Sequence, residues 1–154
     1  ATGAAFDEFG RGVSISGNYA IVGAYVDDGV AGADQGSASI YQWNGTNWIL
    51  MQKITDATGA ANDRFGTSVS ISGNYAIVGA FLDNGVAGLE QGSASIYLRV
   101  GNGWGRLQYI TDPLGNAFDI FGIATAVDGT TKRFLIGASN YAANGGKVVF
   151  GKIN

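Results

Sequence analysis

The nine residues Ser16-Gly17-Asn18-Tyr19-Ala20-Ile21-Val22-Gly23-Ala24 return unchanged as Ser72-Gly73-Asn74-Tyr75-Ala76-Ile77-Val78-Gly79-Ala80, 56 positions later. Working outward, the identity extends over residues 7–41 and 63–97, where 27 of 35 positions match. Asp7-Glu8-Phe9-Gly10, Asp63-Arg64-Phe65-Gly66 and Asp119-Ile120-Phe121-Gly122 keep the same interval, so a third copy follows the first two. A period of this length marks an array of one supersecondary unit. The third copy keeps Ile136-Gly137-Ala138 and Gly145-Gly146-Lys147-Val148-Val149-Phe150 in matching order and changes most of what lies between. The chain therefore reads as a single array over 1–154, with repeats at about 1–54, 55–110 and 111–154.

Within the first copy, Val13-Ser14-Ile15 alternates apolar and polar residues, Ser16-Gly17-Asn18 supplies turn chemistry, and residues 19–24 read as a second strand. A polar, Gly-rich loop at 27–35 follows. Residues 37–43 alternate again, Asn44-Gly45-Thr46-Asn47 turns the chain, and residues 48–54 read as a fourth strand. Each copy predicts a four-stranded antiparallel meander. The third stops at Gly151-Lys152-Ile153-Asn154, before a fourth strand, so eleven strands are expected where three full copies would carry twelve. A lone sheet of this size cannot bury both faces, so the copies must stack; radial repetition of four-stranded sheets is the β-propeller solution. The expected fold is all-β, made of propeller blades.

Composition narrows the function classes. The 154 residues include 26 Gly and one Pro, and 46% are hydrophobic, which suits a turn-rich, half-buried β fold with its own core. A net charge of -3 with nine scattered Lys and Arg argues against a nucleic-acid surface. No apolar run approaches the roughly 20 residues that span a bilayer, and the N-terminus reads as no export signal, which is expected to have been removed or to lie upstream. With no Cys and no His, thiolate chemistry and the commonest general base are excluded. No nucleophile and base emerge from the spacing, and an enzyme is not expected. Asp27 and Asp28 are paired carboxylates, but nothing marks a proton donor in an apolar pocket, as glycoside hydrolysis requires.

Phe9-Gly10 followed by Val22-Gly23-Ala24, Phe65-Gly66 by Val78-Gly79-Ala80, and Phe121-Gly122 by Ile136-Gly137-Ala138 resemble the FG-GAP repeat, with Tyr25, Phe81 and Ser139 at the final position of that name. The resemblance implies blades like those of integrin α-subunit propellers and of secreted bacterial proteins, hence a binding scaffold located outside the cell or at its surface. It also implies calcium in an Asp-rich loop between the first two strands. Here that loop holds only Ser16-Gly17-Asn18, Ser72-Gly73-Asn74 and Asp128-Gly129-Thr130-Thr131, so no metal or other cofactor is carried over.

In a meander, the loop between strands two and three shares one end of the sheet with the linker into the next copy. That end collects Asp27, Asp28, Asp34, Asp56, Asp63, Asp83, Glu90, Asp112 and Asp119, and an acidic loop face is expected. The candidate ligand-binding residues are Asp27, Asp28, Asp34, Asp83, Asn84 and Glu90, with Trp43 as an aromatic for stacking on a sugar, because its counterpart in copy two is Arg99. The same residue types also serve turn geometry and solubility. Phe9, Phe65 and Phe121 are expected to plug between blades. Gly10, Gly66 and Gly122, with Gly23, Gly79 and Gly137, would permit close backbone approach. Trp48 and Trp104 are expected between blades, and Asp7, Asp63 and Asp119 on nearby loop amides. Three blades cannot close a ring alone, so a homo-oligomer or a longer propeller is expected. Two readings follow: a non-catalytic extracellular adhesion module that presents its loop face to a protein or glycan, or a self-assembling structural protein that uses its apolar end blades.

Overall fold

The alternating segments become strands at the expected places. In a computed structural model that describes residues 3–85, 88–141 and 145–154, the first copy folds as β1 (Val13–Ser16), β2 (Tyr19–Ala24), β3 (Ser37–Trp43) and β4 (Trp48–Ile54). The second forms β5 (Phe65–Ser72), β6 (Tyr75–Ala80), β7 (Ser93–Val100) and β8 (Gly103–Ile110), and the third β9 (Phe121–Asp128), β10 (Arg133–Ala138) and β11 (Lys147–Lys152). Hydrogen bonding joins neighbours in chain order within three antiparallel sheets of four, four and three strands. Ser16 pairs with Tyr19 across a two-residue turn in which Gly17 sits at φ 55, the left-handed geometry that keeps a hairpin's twist.

Two cores lie between the sheets rather than within them. One joins Ile21, Ala38 and Ile40 of the first sheet to Phe65, Val69, Ile71, Val78 and Trp104 of the second. The other joins Ile77, Ala94 and Ile96 to Phe121, Phe134 and Ile136 of the third. The glycines of the repeat set the spacing: a Cβ on Gly23 would lie 2.0 Å from the Gly66 carbonyl oxygen, and one on Gly79 2.0 Å from that of Gly122. Serine hydroxyls stitch the sheets together. Ser14 Oγ accepts the Ile71 N–H and Ser16 Oγ that of Gly73, both at 3.1 Å, and Ser70 and Ser72 do the same for Val127 and Gly129.

Position in the array changes the fate of three repeated residues. Phe65 and Phe121 are fully buried plugs, but Phe9, with no described sheet before it, is half-buried. Strand one likewise reaches back to Phe65 and Phe121 in the later copies, where each bridges to Gly36 or Gly92 of the preceding sheet; in the first copy it starts only at Val13. Trp104 is buried edge-on against Tyr19 of the first sheet at 6.1 Å, as expected of a residue between blades. Trp48 is not: it is exposed and meets only its neighbour Trp43, at 5.7 Å among the ring contacts of the described residues.

Candidate functional site

The loops at 27–35 and 83–91 do lie at the same end as the linkers into β5 and β9, because β2–β3 and β4–β5 turn on the same side of each sheet. They are not free. Asn62, Arg64 and Phe65 donate their N–H groups to the carbonyls of Ala33, Asp34 and Gln35, at 2.9, 3.3 and 2.9 Å. Phe118, Ile120 and Phe121 do the same to Leu89, Glu90 and Gln91, at 2.9, 3.2 and 2.8 Å. Each loop is thus a clasp that holds the next blade's linker.

Gln35 and Gln91 lock the clasp. Both are fully buried, and their side-chain amides donate to the carbonyls of Asp56 (2.9 Å) and Asp112 (2.7 Å), one linker away. Sequence reasoning passed over these two residues. The available signal was that a glutamine recurs unchanged at the end of a loop whose preceding residues vary.

The carboxylates expected to form an acidic face turn inward. Asp27, Asp56, Asp63, Asp83, Asp112 and Asp119 are all buried. Asp27 meets Lys53 at 2.5 Å, Asp56 meets Arg106 at 2.6 Å, Asp112 meets Lys147 at 2.5 Å, and the less buried Asp34 meets Arg64 at 2.9 Å. Burying a carboxylate without a partner is costly, which accounts for the cations opposite Asp27, Asp56 and Asp112. In the second copy the position of Lys53 is held by Tyr109, whose hydroxyl donates to Asp83 at 2.6 Å, as does Ser93. Burial and that bond hold the Tyr109 hydroxyl protonated well above the usual range for tyrosine.

Asp28 and Asn84 remain exposed, and both perform one local task. Asp28 Oδ1 accepts the Asp34 N–H and Asn84 Oδ1 the Glu90 N–H, each at 3.0 Å. An acceptor oxygen is needed there and a charge is not, since the amide serves as well as the acid. Asp34 and Glu90 take left-handed φ values of 56 and 52 as their loops meet the following linker. Trp43 lies elsewhere: it closes β3 at the opposite end from Ser37, half-buried on Trp48, so the fold does not bring it to the loop carboxylates.

Asp7, Asp63 and Asp119 each accept an amide N–H three residues earlier, from Ala4 (2.7 Å), Ala60 and Asn116 (2.6 Å), as expected for Asp before a strand. Asp63 is buried with the carboxylates of Asp83 and Asp56 nearby. Burial pushes its pKa up to about 6, the nearby carboxylates of Asp83 and Asp56 add to the rise, and the Ala60 N–H opposes it.

The turns β1–β2, β5–β6 and β9–β10 are short. In the first two copies they are two-residue turns without a carboxylate, and in the third the Asp128 oxygens accept from the Thr130 N–H and the Thr131 hydroxyl. Among the described residues no cluster of three acidic or other metal-binding side chains occurs, and no helix is long and apolar enough to cross a membrane.

Beside the exposed Asp28 and Asn84, the loop end presents apolar side chains. Phe6, Val30, Leu89, Leu114 and Phe118 are exposed on successive loops and linkers there. No curated protein matches the chain. The sequence profile of the FG-GAP repeat matches residues 2–41 and 48–97, and the third copy's Phe121-Gly122 and Ile136-Gly137-Ala138 lie beyond the matched spans. With more than half of its length aligned to that repeat, the chain belongs to the FG-GAP repeat family.

Proposed function

We propose that the chain is a non-catalytic recognition module of the adhesion type, acting outside the cell or at its surface, and that it binds a protein through apolar side chains on its loop rim. FG-GAP repeats occur in adhesion-type extracellular proteins, which supports the general class. The mode of binding rests on one observation. Phe118 is held at φ 68 while 49% exposed, and Phe6 at φ 72 while 90% exposed. The middle copy has Asn62 at this position, at φ 69. Asparagine tolerates left-handed backbone, whereas a bulky residue there costs about 1–2 kcal/mol. A phenylalanine in that conformation with about half or more of its surface exposed recovers little of that cost by burial in its own fold. Exposed apolar side chains on a rigid rim are what protein partners bury. Asp27, Asp34, Asp56 and Asp112 are already paired with cations of the chain itself, which turns the reading away from cations and sugars.

The test compares the chain with Phe118→Asn on immobilised extracellular-matrix proteins and on a glycan array. The substitution borrows the residue of the middle copy, so thermal stability should stay or rise while affinity for a protein falls about tenfold or more. Binding that ignores the substitution, binding to glycans only, or no saturable binding at all defeats the proposal.

A further inference from the structure

The first two copies match closely up to Tyr41 and Tyr97, then part at the hairpin that joins their third and fourth strands. Copy one turns through Asn44-Gly45-Thr46-Asn47, and copy two through Val100-Gly101-Asn102-Gly103. Both turns place their glycine in left-handed backbone, Gly45 at φ 101 and Gly101 at φ 60. What the turn itself requires is therefore common to the two copies. Copy one adds an asparagine followed by a threonine two residues on. Asn-x-Thr, with x other than proline, occurs once in the chain, at this hairpin. It is the acceptor pattern for N-linked oligosaccharides, which sit on surface loops of exported proteins.

The hairpin presents the pattern in an accessible form. Asn44 Oδ1 accepts the backbone N–H groups of Thr46 at 2.9 Å and Asn47 at 2.8 Å, an Asx turn that folds the asparagine side chain back over the threonine. Only the oxygen is engaged. The Asn44 Nδ2 and the Thr46 hydroxyl have no hydrogen-bond partner among the described residues, and residues 44–47 are all exposed. A Cβ on Gly45 would meet nothing within 4 Å. This exposure belongs to the turn and not to its place in the array. The copy-one hairpin is open although a sheet follows it, and in copy two, which has a sheet before it, Val100 is 72% exposed at the position of Asn44. The β3–β4 turn also lies at the end of its sheet opposite the loop rim, so a bulky group there leaves Val30, Leu89 and Phe118 uncovered.

We propose that Asn44 is an acceptor for an N-linked oligosaccharide. The inference rests on the reading above that the chain is exported, because the transfer takes place along the export route. The Asn44 Nδ2 bonds to the anomeric carbon of a lipid-pyrophosphate-linked oligosaccharide as the bond from that carbon to the pyrophosphate oxygen breaks. The lipid pyrophosphate leaves with the electron pair, and Nδ2 gives up one proton to a carboxylate of the transferase. The Thr46 hydroxyl serves recognition by the transferase and is itself unchanged. The product carries a solubilising sugar at the end of the first sheet away from the rim.

Intact-mass spectrometry of the full chain, secreted from eukaryotic cells behind an appended export signal, tests it. The wild type should carry a single oligosaccharide that peptide N-glycosidase removes. Thr46→Ala keeps both hydrogen bonds of Asn44, whose donors are backbone N–H groups, and should abolish the sugar while the thermal midpoint stays within a few degrees. Thr46→Ser restores a hydroxyl and should restore the sugar. Asn44→Gln should lose it as well, and if that variant misfolds the two threonine variants decide. The appended signal brings the chain to the transferase whatever its native route, and partner binding is not read, so a failure here is separate from a failure of the recognition reading, which Phe118→Asn decides. An unmodified mass for the secreted wild-type chain, or an oligosaccharide that persists in Thr46→Ala, overturns the proposal.

Discussion

Val13 and Val69 are the same residue at the same point of nearly identical copies, as are Ile15 and Ile71, Trp48 and Trp104, and Phe9 and Phe65. The second member of each pair is buried; the first is exposed or half-buried. Local sequence cannot produce this difference, because it is shared. What differs is the sheet in front: the second copy packs its leading face on Ile21, Ala38 and Ile40, and the first has no described sheet to pack on. Burial in this molecule is a property of the junction between repeats, which is how repeat arrays distribute their stability.

The largest expected effect breaks that comparison at its aromatic plug. Phe65→Ala empties a fully buried site between two sheets and should cost about 3–5 kcal/mol, whereas Phe9→Ala on the outer face should cost less than about 1 kcal/mol. Urea denaturation of both variants under conditions that keep the chain monomeric gives the two values, and equal losses would contradict the interface account.

An intermediate effect contrasts the buried Asp63 with the half-buried Asp7. The folded-state pKa of Asp63 is raised from 3.8 to about 6, so the folded chain binds the proton more tightly than the unfolded chain. Its contribution to stability is therefore complete below the unfolded value and is lost as pH rises through about 6, a change on the order of 1–3 kcal/mol. Thermal melts of Asp63→Asn across this range should show a flatter profile than wild type, and Asp7→Asn should leave the profile unchanged.

The smallest effect sharpens the comparison between the two clasps. Asp28→Asn installs the residue that copy two already uses at Asn84, and stability should move by less than about 0.5 kcal/mol in thermal denaturation. Asp28→Ala removes the acceptor for the Asp34 N–H and should cost more.

The strands were legible because two signals coincide in each. Residues 19–24, 37–43 and 48–54 were read as strands from alternation bounded by Gly and Asn turns, and β2, β3 and β4 occupy those spans. The loop end was misread as a charged face for a physical reason. An Asp that caps a turn, an Asp paired with a distant cation and an Asp waiting for a ligand look alike in a single loop. The partners of Asp27, Asp56 and Asp112 stand 26, 50 and 35 positions away. The comparison between copies held a better signal. Asp28 becomes Asn84 and loses its charge, and Lys53 becomes Tyr109 yet still reaches the same acid. Trp48 misled because it matches Trp104 in sequence and differs only in its place along the array.

The serine stitches have a consequence for how the chain comes apart. The Ile71 and Gly73 amides are satisfied by hydroxyls of the first sheet, and those of Val127 and Gly129 by hydroxyls of the second. Sliding one sheet off its neighbour therefore strips two backbone donors at the hairpin end of the junction together. Partial separation gains little, and each junction opens as an all-or-none step. The middle sheet, packed on both of its faces, is expected to show the strongest amide protection of the three sheets in hydrogen exchange.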